Sequence, residues 1–147
     1  MSSLKRLTGA QMQDFVVKKW SKAQGASEAA ISALQDAVGF ELPKEYVELL
    51  EFSNGGEGPM PDPFGVFYLD RVEDASNPGQ IGLYPGWFIF GGDGGLELFA
   101  FDLTGTSPWP VLAFDGVDPK GSVRKVADDF TQFLLLIGSS NKNRHCG

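Results

Sequence analysis

Four apolar segments that follow one another along the chain constrain the fold most strongly. They are rich in aromatic and β-branched residues, which is typical of strands, and they cover residues 64–69, 87–90, 96–101 and 111–114. Asp93-Gly94-Gly95 stands between the second and third segments, where it favours a tight hairpin. Because short connections join antiparallel neighbours, we predict a mainly antiparallel central sheet.

Helical patterns precede these strands. A first helix is expected to begin near Thr8 or Gly9 and to be broken by Gly25, because apolar residues recur at helical spacing between them. Ser27 is suited to cap the start of a second helix, and Gly39 is suited to the left-handed position after its end. These elements place two helices in the first third of the chain.

Two further helices complete the pattern. Pro43 fits the first turn of a third helix, which residues 54–56 (NGG) should terminate. A last helix is predicted from Val126 to Ile137. Helices, then consecutive strands, then a helix indicate an α+β fold with N-terminal helices and a C-terminal helix. We expect one domain over residues 1–137, followed by a mobile polar tail over 138–147.

The predicted strands are apolar on both faces. Trp87 and Ile89 should point to one side of the sheet, and Phe88 and Phe90 to the other. Either both faces are covered, or one face presents aromatic side chains to a partner. We favour full coverage, because soluble proteins rarely expose large apolar patches.

Charge is distributed unevenly along this acidic chain, whose net charge is −7. Residues 25–118 carry sixteen acids against Lys44 and Arg71, a net of −14. Such a segment repels phosphate backbones, so we expect no nucleic-acid partner. It would attract a basic protein and speed that association, although the acidity also serves solubility.

Catalytic and metal-binding residues are scarce. The only histidine and the only cysteine, His145 and Cys146, are neighbours in the polar tail. Zinc binding requires more ligands than this pair supplies, and histidine-dependent acid–base or nucleophilic catalysis would lack its usual base. No phosphate-loop, EF-hand or nucleophile-elbow motif is present. We therefore expect no enzyme activity, no metal and no cofactor.

The hydropathy of the sequence gives an expectation about where in the cell the protein resides. The first residues, MSSLKRLTGAQMQDF, lack the apolar run of a signal peptide. No stretch approaches the roughly 18 apolar residues of a membrane span. We expect a cytoplasmic protein without membrane contact.

Binding is then the expected mode of action, with aromatic anchors and an acidic rim. Acidic and aromatic residues in or beside the predicted loops are the candidate contacts, although burial in the core is the alternative for each aromatic ring. The candidates are Glu57, Asp62, Phe64, Asp70, Tyr84, Trp87, Asp93 and Trp109. The oligomeric state is left open.

Three phrases of the sequence are informative through their order and spacing. The first is residues 38–46 (VGFELPKEY), followed by 54–56 (NGG). The second is residues 88–102 (FIFGGDGGLELFAFD), and the third is residues 126–134 (VADDFTQFL). Together they resemble the opening, the central hairpin and the closing helix of the SUKH superfamily, which is named partly for fungal regulators of cell-wall assembly and killer-toxin resistance. The resemblance extends over about residues 28–137.

The resemblance implies an α+β fold with a central antiparallel sheet. Many bacterial members of the superfamily are immunity proteins that bind and neutralise toxins, and fungal members act as scaffolds. Our first hypothesis is therefore an immunity-type protein that binds and neutralises a toxin, with a basic toxin domain as the expected partner. The alternatives are a scaffold or adaptor for endogenous cytosolic proteins, and a binder of peptides or small molecules.

Overall fold

The computed structural model describes residues 20–61 and 63–137, without the side chain of Lys22. Seven strands lie in these ranges: β1 (Ser21–Lys22), β2 (Gly56–Pro59), β3 (Val66–Leu69), β4 (Trp87–Gly92), β5 (Glu97–Asp102), β6 (Val111–Asp115) and β7 (Arg124–Ala127). The same ranges contain six helices: α1 (Glu28–Val38), α2 (Lys44–Phe52), α3 (Val72–Ala75), α4 (Pro78–Ile81), α5 (Pro119–Ser122) and α6 (Phe130–Leu136).

Several expectations concern residues outside these ranges. They are the start of the first helix near Thr8, the tail over 138–147 with His145 and Cys146, and the candidate contact Asp62.

The strands β1 to β7 form one antiparallel sheet in which neighbours in space are also neighbours in sequence. The central register places Phe88 opposite Phe101 and Phe99 opposite Ala113. An α+β fold with an antiparallel sheet and helices near both ends of the described chain is therefore confirmed. In the described part of the chain, no helix has both the length and the apolar character needed to cross a bilayer.

Local signals define the ends of the main helices. The Ser27 hydroxyl accepts the Ala30 N–H at the start of α1, and Gly39 ends that helix with φ +81°. Pro43 directly precedes α2. The Asp129 carboxylate accepts the Gln132 N–H at the start of α6. The Ser27 and Asp129 side chains thus pair backbone N–H groups that the start of a helix leaves unpaired.

The prediction of a helix beginning at Val126 is wrong. Residues 124–127 form β7, which pairs with β6, and α6 begins at Phe130. A register shift between Val111 and Leu112 leaves Val126 between two paired positions, so that its apolar side chain packs against the core from a strand. Helical spacing and strand burial thus give the same apolar pattern over so short a segment.

The helical prediction for residues 20–22 is also wrong. Gly56–Pro59 forms β2, and Ser21–Lys22 pairs with it as β1. A Cβ at Gly58 would lie 2.7 Å from the Trp20 ring, so glycine permits the close approach that β2 makes to Trp20. This tertiary contact overrides the low strand propensity of glycine.

The core lies between one face of the sheet and the helices α1, α2 and α6, and we call this the inner face. Tyr46 of α2 is fully buried there, and its ring contacts Phe88, Phe90, Phe101 and Phe130 at centroid distances of 5.5–6.0 Å. Aromatic pairs at such separations add to the stability gained by burial. The inner face therefore forms the hydrophobic core of the domain.

Candidate protein-interaction face

The opposite side of the sheet, the outer face, is closed at one end only. Ile89, Ala100 and Phe114 are buried there in a small second cluster. Tyr84 and Trp87 pack on this cluster. Their ring centroids lie 5.0 Å and 4.8 Å, respectively, from the centroid of the Phe114 ring. The sequence favours coverage of both faces, whereas in the structure only part of the outer face is covered.

The end of the outer face nearer β3 is open and forms what we call the outer groove. Its volume is about 600 Å³, and apolar side chains of strands and of the loop after α4 line it together with Asp70 and Gln80. Two of these apolar side chains are well exposed, Tyr68 at 41% and Leu83 at 59%. The apolar and half-buried polar lining includes Tyr68, Asp70, Gln80, Leu83, Ile89 and Leu98.

Glycine in the β4–β5 hairpin keeps the outer groove open. A Cβ at Gly94 would lie 2.6 Å from Tyr68 Cε2, so the Tyr68 ring lies directly against the hairpin backbone. Gly94 also has φ +85°, a conformation that favours glycine. Asp93 fixes the turn, because its carboxylate accepts the Gly95 N–H at 2.8 Å. The hairpin thus forms a wall made largely of backbone.

Asp70 is the principal polar group of the outer groove. Its backbone N–H donates to the Phe90 carbonyl at 2.9 Å, which holds the residue at the end of β3. The Gln80 side-chain amide donates to Asp70 Oδ2 at 3.0 Å. Burial raises the pKa of the Asp70 carboxyl, the Gln80 hydrogen bond offsets part of that rise, and the charge of Asp74 adds to it.

These groups can bind a ligand through hydrogen bonds and apolar contacts. Besides Asp70 and Gln80, the residues Asn77 and Glu97 line the groove, together with an aromatic ring and an apolar wall. Among the described residues, no group of three or more His, Cys, Asp or Glu side chains could hold a metal ion. The arrangement resembles the centre of a protein interface, in which an apolar surface surrounds a few oriented polar groups.

A comparison with known protein families identifies the family of this chain. A model of the SMI1/KNR4 family (SUKH-1) matches residues 25–136, well over half of the chain of 147 residues. The chain belongs to this family. The outer groove of this SUKH domain lies wholly within the matched region. No curated protein matches the sequence at a significant level of similarity.

Five of the predicted contact residues of the SUKH domain lie on or beside the outer face. Asp70 lines the outer groove, and Glu57 pairs in register with Tyr68 at its edge. The remaining three are Tyr84 and Trp87 on the second cluster, and Asp93 in the hairpin turn.

Phe64 and Trp109 lie elsewhere. The Phe64 ring packs on Phe99 at 4.9 Å, on the inner-face side, with the Arg124 guanidinium 5.5 Å from its centre. Trp109 is only 7% exposed, and its indole N–H donates to the Gly105 carbonyl. The structure thus does not bring these two side chains into the outer groove.

The sequence prediction missed Tyr68, Gln80, Leu83 and Leu98. Strand alternation could have identified Tyr68, because its neighbours Phe67 and Leu69 are buried on the inner face. The same signal applies to Leu98. Gln80 carries no comparable signal, because its position depends on how the short helix α4 packs against β4.

A second groove, of about 850 Å³, lies beside α2 and contains Trp109 and the 48%-exposed Phe40. Its rim is acidic, with Glu45, Glu48 and Glu51 on α2. Burial raises the pKa of Glu48; the charge of Lys44 opposes this rise, and the charges of Glu45 and Glu51 add to it. The apolar residues of this groove continue into the core, whereas the outer groove lies on the part of the outer face that the second cluster leaves uncovered.

Proposed function

We propose that this SUKH domain is a non-catalytic protein-binding domain of the immunity type, which binds and neutralises a toxin through the outer groove. The observation that carries the proposal is the open part of the outer face, where Tyr68 and Leu83 are exposed beside the half-buried Asp70. Burying such a surface against a partner would recover the free energy that its exposure to water costs.

The charge around the outer groove supports a basic partner. Residues 56–102, which include the strands and loops that form the groove, carry eight acids and one base, Arg71, a net of −7. A negative field of this kind accelerates the encounter with a positively charged protein and disfavours acidic competitors. It also disfavours nucleic acid, whose phosphates it repels.

A growth-rescue experiment tests the proposal. The domain is co-expressed with a toxin encoded beside its gene, and we expect the wild-type domain to restore growth and to form a complex with the toxin. The variant Leu83→Asp, which places a charge in the outer groove, is expected to lose both properties.

Leu135→Asp is the matched control for this experiment. Leu135 is 39% exposed on α6, on the other side of the molecule from the outer groove. We expect this variant to retain rescue, with circular dichroism confirming that both variants fold. Rescue by Leu83→Asp at the wild-type level, or the absence of any complex with the toxin, would contradict the proposal.

The groove shape also favours a second candidate, a binder of peptide segments from endogenous proteins, which includes a scaffold or adaptor role. The outer groove is concave, with Tyr68 on its wall and with Asp70 and Gln80 among its polar lining residues. Affinity capture with the full chain separates the candidates. Recovery of housekeeping proteins that Leu83→Asp no longer captures would favour the adaptor, and recovery of a toxin would favour the immunity protein.

A further inference from the structure

The carboxylate of Asp70 has no ion-pair partner among the described residues. The cations near the sheet are engaged elsewhere: Arg71 lies 3.7 Å from Asp74, Arg124 lies 3.0 Å from Glu97, and Lys125 lies 2.7 Å from Asp128. Gln80 supplies a neutral hydrogen bond to one Asp70 oxygen. A partly buried carboxylate without a counter-charge is stabilised when a cation of a binding partner pairs with it.

The walls around this carboxylate suit a flat cation on an apolar stem. Tyr68 stands two residues before Asp70, so strand alternation directs both side chains to the outer face. Leu83, Ile89 and Leu98 provide apolar surface along the same groove. An aromatic face attracts a cation, and an aliphatic stem can pack along apolar side chains while its charged head reaches the carboxylate.

We propose that the outer groove receives an arginine side chain of the partner protein, with its guanidinium paired to Asp70 and stacked on the Tyr68 ring. This inference rests on the proposed function and names the chemistry of the partner. Arginine fits better than lysine for two reasons. A guanidinium presents a planar fork that matches a carboxylate, and it stacks on aromatic rings with less loss of hydration than an ammonium group.

The first test uses short peptides as probes. Capped Gly-Arg-Gly, Gly-Lys-Gly and Gly-citrulline-Gly are titrated into the full chain, and the NMR signals of Tyr68, Ile89 and Leu98 are followed. We expect the arginine peptide to shift these signals, the lysine peptide to shift them less, and the uncharged citrulline peptide to leave them unchanged. Equal shifts with citrulline, or no shift with arginine, would overturn the inference.

Variants then locate the contact. Asp70→Asn is expected to weaken binding of the arginine peptide about tenfold, since it removes one charge-assisted hydrogen-bonded pair. Asp36→Asn removes the same charge from an exposed position on α1 and should leave binding unchanged. Because burial raises the pKa of Asp70, binding to the wild type should also weaken as the pH falls through that pKa. Unchanged binding by Asp70→Asn would overturn the inference.

The toxin complex separates this inference from the proposed function. If the toxin still binds through the outer groove when Asp70 is replaced by Asn, with Leu83→Asp abolishing the complex, the arginine contact is refuted and the proposed function stands. If the toxin binds equally well to Leu83→Asp, the proposed function fails, whatever the peptides show. A complex weakened by both substitutions supports both statements.

Discussion

At the scale of single residues, the hydroxyl of Tyr46 is a polar group enclosed by the aromatic core. It is fully buried among phenylalanine rings and has no hydrogen-bond partner among the described residues. Burial, with a smaller contribution from the charge of Asp70, raises its pKa, so the phenol stays protonated at neutral pH. The ring packs the core, whereas the hydroxyl is enclosed at a cost in solvation.

Replacement of Tyr46 by Phe tests this description. We expect the free energy of unfolding to stay the same or rise by about 1 kcal/mol, because the change removes an unpaired buried hydroxyl and keeps the ring. Urea denaturation measures the effect, with Tyr46→Leu as a control that should be clearly destabilised by the loss of aromatic packing. A marked loss of stability in the Phe variant would show that the hydroxyl has a partner.

Asp70 gives a prediction that depends on pH. Its raised pKa means that the folded state holds the proton more tightly than the unfolded state, so its contribution to stability is greatest below the ordinary pKa and is lost as the pH rises through the raised value. Asp70→Asn should therefore match the wild type in acid and exceed it at neutral pH. Chemical denaturation across this range measures the difference, and a variant that is less stable at neutral pH would contradict the prediction.

At the scale of elements, Ser53 joins α2 to the strands β1 and β2. Its buried hydroxyl accepts the Trp20 indole N–H at 3.2 Å and the Ala23 N–H at 3.0 Å, and it donates to the Gly55 carbonyl at 2.6 Å. Ser53→Ala should lower the free energy of unfolding by about 2 kcal/mol, because buried polar groups lose a partner. Denaturation followed by tryptophan fluorescence measures it, and a loss below about 0.5 kcal/mol would contradict this role.

The β4–β5 hairpin gives a second prediction at this scale. Gly94→Ala should destabilise the domain by about 1–2 kcal/mol, because the residue has positive φ, and should also displace the Tyr68 ring from the groove wall. Gly105→Ala is the control, since a Cβ there meets no atom within 4 Å. Thermal denaturation with NMR of Tyr68 measures both effects. Equal stability of the two variants would refute the assigned role of Gly94.

Much of this architecture follows from local signals in the sequence. Ser27 and Gly39 delimit α1 as predicted, because capping and left-handed positions depend on nearby residues. The strand Gly56–Pro59 escaped prediction because its contact with Trp20 is distant in sequence. In the candidate site, Asp70 was found as an acid beside a predicted strand, whereas its hydrogen bond with Gln80 depends on the fold of the intervening loop.

At the scale of the whole molecule, the two faces of the sheet differ in how completely they are covered. The inner face is filled by the aromatic core beneath α1, α2 and α6, whereas the outer face is closed at the second cluster and open at the groove. The acidic central segment supplies the field around that opening. We therefore propose that contacts in the outer groove provide the affinity for a partner protein. The surrounding negative charge would raise the rate at which the two proteins meet.

Backbone hydrogen exchange on the domain, free and bound to the toxin encoded beside its gene, tests this account most directly. We predict that binding slows exchange around the outer groove, in the β4–β5 hairpin, in α4 with Gln80 and in the loop with Leu83, and leaves α1 and α6 unchanged. Slowed exchange confined to the helical side of the molecule, with the hairpin unaffected, would contradict it.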